Sequence, residues 1–183
     1  MGSFKQISYK VAYCGIICAL STMLMLISLI PGLTYAVPAV SGIFIWSICF
    51  FINYKWALLS YASTSLLLLI LMAHALEANI VFIAFFGYYP IIRGKLAAVK
   101  SVVLRFTLKL AVFNAACIAA YNILVLIIGI DQVLEGMEFA GEMAVLAFWG
   151  IANLMFLCYE FCLTHLQYVI EKWIKPKFFK RIK

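Results

Sequence analysis

Glu160 stands in the run Leu157-Cys158-Tyr159-Glu160-Phe161, where a carboxylate is costly unless a partner or a cavity receives it. The apolar stretch that carries it is joined to the preceding one by a single loop that turns near Gly136. Counting back from that turn puts Lys109 within about one helical turn of the level of Glu160. A Lys109–Glu160 pair would neutralise both charges, with Arg105 and His165 nearby. Such a pair can act as a proton or conformational relay, or as a structural ion pair that fixes helix register. Both readings stand at this point.

Four amides lie in the same kind of surroundings: Asn79, Asn114, Asn122 and Asn153. Asn79, Asn122 and Asn153 share the outer half of their segments with Trp149. An aromatic ring with a few amides makes a small-molecule pocket, and the same amides serve as hydrogen-bonding glue between helices.

Cys14, Cys18, Cys49, Cys117, Cys158 and Cys162 all fall inside apolar runs and form no C-x-x-C pair. They are expected to pack as small hydrophobes rather than to bind a metal. Asp131, Glu135, Glu138 and Glu142 share one helical face, the wet side of a short helix or a draw for cations. No oxygen-rich ligand loop accompanies them, and no metal or cofactor is expected. Gly15 and Ala19, together with Cys14 and Cys18, create a smooth small-residue face on the first segment, which admits a close helix partner. That partner is internal or a separate protein.

The elements that must position these residues are membrane helices. Of the 183 residues, 67% are apolar and 11% charged, and the mean hydropathy is +1.11. A soluble domain carries about 25% charged residues, and a chain this small cannot bury such an apolar excess in water. A soluble enzyme, a nucleic-acid-binding domain and a disulfide-stapled secreted scaffold are excluded. The expected fold is all-α: a single polytopic domain with six spans at about 11–30, 36–52, 56–73, 76–92, 101–130 and 143–170, then a basic tail over 171–183. Pro31, Pro38, Pro90 and Pro176 sit near the ends of these segments. The first run lacks a signal-peptide cleavage site and is expected to stay attached.

All 14 Lys and Arg fall on one side of the resulting zigzag, and the loops around Thr34, His74 and 131–142 hold none. This asymmetry places both termini in the cytoplasm. Tyr9, Tyr54, Trp56, Tyr88, Tyr89, Tyr168 and Trp173 would line the inner interface.

The layout resembles the substrate-binding (S) components of energy-coupling factor transporters, six-helix bacterial inner-membrane proteins of similar length with both termini inside. The resemblance implies that Gly15 and Ala19 occupy the family's Ala-x-x-x-Ala docking motif, which contacts a transmembrane coupling subunit served by separate ATPases. It further implies an outer-side pocket for a small, vitamin-like molecule, where Tyr35, Asn79, Asn122, Trp149 and Asn153 fall. Phe86-Gly-Tyr-Tyr-Pro-Ile91 and Lys109-Leu-x-x-Phe-Asn114 also resemble stretches of small bacterial membrane proteins of the same layout, without an implied activity. The expected function is substrate capture for uptake, without catalysis and without a P-loop. The alternative is a non-transporting scaffold of a cell-envelope assembly, similar to MreD.

Overall fold

The computed structural model describes residues 2–30, 32–129 and 141–174. Every regular element among them is helical: α1 (Gly2–Leu26), α2 (Ala36–Phe51), α3 (Tyr54–Leu71), α4 (Leu76–Val81), α5 (Tyr89–Ala97), α6 (Val102–Ile128) and α7 (Gly141–Val169). Helices satisfy their own backbone groups, which hydrocarbon demands of any chain that crosses it. Among the described residues, four stretches, 6–29, 54–71, 76–97 and 102–127, are long and apolar enough to cross a membrane. The chain is thus a multi-pass membrane protein by length and composition. The apolar helix α2 has 16 residues, a rise of about 24 Å against a hydrocarbon core of about 30 Å.

Two boundaries differ from those expected from hydropathy. The first helix begins at Gly2 rather than near Val11. The fourth span reaches Ala97 instead of stopping near Ile92, and it is not one helix: α4 passes into a π-helical turn, Phe82–Phe86, before α5 starts at Tyr89. Pro90 therefore lies within the span, in the first turn of α5, where its missing N–H costs no helical bond.

The chain forms two compact units, 1–109 and 110–183. In the first unit, α1, α2 and α3 enclose a core that includes Ile17, Met25, Ile45, Ile48, Ala57 and Leu68. Small polar residues let these helices approach. Ser41 Oγ donates to the Ser21 carbonyl at 3.1 Å, and Ser21 Oγ returns a bond to the Ser41 carbonyl at 3.5 Å. Cys18 Sγ lies 3.5 Å from the Ser60 carbonyl it donates to. The Cys14/Cys18 face of α1 is thus the internal one. Asn53 begins α3 by accepting from the Trp56 N–H at 3.1 Å, a side-chain N-cap.

In the second unit, α6 and α7 run antiparallel. Asn114 Nδ2 donates to Asn153 Oδ1 at 3.0 Å, Asn153 Nδ2 returns a bond at 3.4 Å, and the Phe113 and Phe156 rings stack at 4.7 Å. A left-handed Gly129, at φ 95°, follows α6, a conformation open to a residue without Cβ.

Candidate functional site

Hydrogen-bonding arithmetic at the broken fourth span defines the most constrained place in the first unit. In the π turn the Gly87 N–H reaches back five residues to the Phe82 carbonyl at 2.7 Å. The longer step displaces the neighbouring carbonyls from their usual i+4 donors. Tyr61, from α3, supplies one replacement: its hydroxyl donates to the Ile83 carbonyl at 2.8 Å. Pro90 has no N–H to offer the Phe86 carbonyl, and that oxygen points at Gly42 of α2. A Cβ on Gly42 would fall on the Phe86 oxygen, so α2 meets the turn backbone to backbone.

Gly87 plays the matching role toward α3, since a Cβ there would come within 2.6 Å of the Tyr61 ring. Tyr61 also packs edge-on against Tyr88 at 6.0 Å, while Phe85 stacks on the fully buried Tyr89 at 4.4 Å. Non-helical backbone at membrane depth is tolerated where protein buries it or a cavity adjoins it, and π turns recur at functional sites. Sequence reasoning missed Gly42, Tyr61 and Gly87. The available signal was the Gly-Tyr-Tyr-Pro run inside an apolar stretch, which marks a break rather than an end.

Five residues were expected to form a substrate pocket, and they are divided between the two units. In the first, Asn79 is fully buried and its Nδ2 donates to the Met72 carbonyl at 2.7 Å and the Leu68 carbonyl at 3.4 Å. It thereby closes the C-terminal end of α3. Its Oδ1 and the Thr64 hydroxyl are buried without a hydrogen-bond partner among the described residues. Tyr35 precedes α2 and is 54% exposed. Partial desolvation raises that phenol above its ordinary pKa, and the Glu77 carboxylate adds to the rise. Tyr35 and Glu77 therefore share one end of the unit.

In the second unit, Asn153 bonds Asn114 and the Trp149 carbonyl, the latter at 2.9 Å. Asn122 is exposed and donates to its own helix at Ile118, 2.7 Å away. Trp149 is half-buried. The amide groups of these residues are thus largely committed to backbone and to each other.

Gly15 and Ala19 lie on the exposed face of α1, and a Cβ on Gly15 would meet nothing within 4 Å. Lys109, 8% exposed, closes the first unit, and Glu160 is half-buried in the second. Among the cysteines, Cys14 and Cys18 are buried, Cys49 and Cys117 half-buried, and Cys158 and Cys162 exposed. The acidic stripe at Asp131, Glu135 and Glu138, with the turn at Gly136 and most of the basic tail, lies outside the described residues, and so does the Glu142 side chain. Among the described residues no group of three or more His, Cys, Asp or Glu side chains gathers to hold a metal. No protein-family model, no curated protein and no solved structure matches this chain.

Proposed function

We propose that this protein is the membrane-embedded capture subunit of a small-molecule uptake transporter, energised by separate ATPase subunits. The observation that carries the reading is the π turn at Phe82–Phe86, buried against Gly42 and Tyr61 in a membrane-spanning stretch. Interrupted membrane helices are the places where transporters expose backbone groups to a substrate. In this reading the chain crosses the bacterial inner membrane six times with both ends cytoplasmic. The exposed Gly15/Ala19 face receives a coupling subunit, and Asn122, Trp149 and Asn153 of the second unit serve the outer-side pocket.

The second reading, an envelope-assembly scaffold, is favoured by the engaged amides of Asn79, Asn114, Asn122 and Asn153. Glue of this kind needs no ligand. Affinity purification from native membranes separates the two. Recovery of a membrane coupling protein with ATPases, lost in Gly15→Leu and Ala19→Leu variants, supports capture. Recovery of envelope-synthesis proteins in their place supports the scaffold.

A further inference from the structure

At the end of the first unit where α2 gives way to α3, cations are held by aromatic rings. Lys95 Nζ sits 4.0 Å from the centroid of the Tyr54 ring, and the buried Arg93 guanidinium lies 5.9 Å from that of Trp46. These contacts bring the last turns of α5 onto the α2–α3 turn, beside the exposed Lys55. The start of α3 adds partial positive charge, because the first N–H groups of a helix have no partner within it. Asn53 takes the Trp56 N–H, which leaves those of Tyr54 and Lys55 outside the helix's own bonding.

The unit's counter-charge is elsewhere. Residues 1–109 contain a single acid, Glu77, and it lies past the far end of α3. Eighteen helical residues separate the two ends, about 27 Å at 1.5 Å per residue and well beyond a Debye length of about 8 Å. In a membrane-spanning protein, a basic end with interfacial aromatic rings fits the anionic surface of the bilayer.

We infer that the α2–α3 turn and α5 bind the phosphate of an anionic membrane phospholipid, through Lys55, Lys95 and the first backbone N–H groups of α3. The site goes beyond the transport reading and is independent of it. The uncompensated negative charge of the headgroup phosphate is what the lysines recognise, and the acyl chains keep it at the level of the helix ends.

Native mass spectrometry of the full-length protein in detergent tests this, with phosphatidylglycerol and phosphatidylcholine offered at equal concentration. Retained phosphatidylglycerol should exceed phosphatidylcholine, and Lys55→Gln with Lys95→Gln should weaken its retention about tenfold. Lys95→Arg, which preserves charge, should retain it. Lys180→Gln with Lys183→Gln removes the same charge from the tail and should leave retention unchanged. Equal retention of both lipids, or an equal loss in the tail variant, would overturn the site. Displacement by equimolar inorganic phosphate would also overturn it, by showing a site for a free anion.

Discussion

The hydroxyl of Tyr61 donates to the carbonyl of Ile83 at 2.8 Å, tying α3 to the π turn that interrupts the fourth span. A carbonyl released from helical bonding must find a donor in hydrocarbon, and a neighbouring helix supplies it. Tyr61→Phe keeps the ring against Gly87 and removes only the donor. It should lower stability by about 1–2 kcal/mol, read as a drop in the thermal midpoint in detergent. Amide exchange at Gly87 should quicken. An unchanged midpoint with unchanged exchange would mean that the turn does not depend on this bond.

Gly42 and Gly15 make a matched pair of probes. Alanine at Gly42 places a methyl group on the Phe86 carbonyl and forces backbone to move, whereas at Gly15 it meets open space. Gly42→Ala should cost on the order of 1–3 kcal/mol, the range for overpacking a close contact. Gly15→Ala should be neutral or slightly stabilising, since alanine is the better helix former. Equal midpoints for the two variants would contradict the backbone contact at Gly42.

Asn114 and Asn153 exchange hydrogen bonds through their side chains. Changing either to Ala should cost about 1 kcal/mol, and the double replacement should cost less than the two singles added. Additive losses in an unfolding titration would show that the amides act only on their own helices.

What was legible in the sequence follows from the range of the forces involved. Helix content and four of the six expected spans came from runs of apolar residues, because hydrocarbon selects helices by length and composition. The π turn was not legible from hydropathy. Phe82–Phe86 is as apolar as any helix, and the break depends on contacts that Gly42 and Tyr61 make from distant parts of the chain. Asn153 was anticipated as a pocket residue or glue, and the structure gives it a partner in Asn114. The small residues of α1 read as one face in the sequence, yet Cys14 and Cys18 are buried while Gly15 and Ala19 are exposed. A one-residue offset turns a helix by about 100°, enough to exchange core for surface.

The proposed orientation has its own test. Reporter fusions at Lys55 and Arg93 should read cytoplasmic, and one at Gly136 should read exterior, as the placement of the 14 basic residues requires. A cytoplasmic reading at Gly136 would overturn the six-span scheme.

The capture reading is tested most directly by mass spectrometry of small molecules extracted from protein purified out of native membranes. The account predicts one organic compound retained in stoichiometric amount, and its retention should fall in the Asn153→Ala and Trp149→Ala variants while Gly15→Leu leaves it intact. Repeated purification with no retained compound, together with normal function after the outer-half polar residues are made apolar, would contradict it and leave the scaffold in its place.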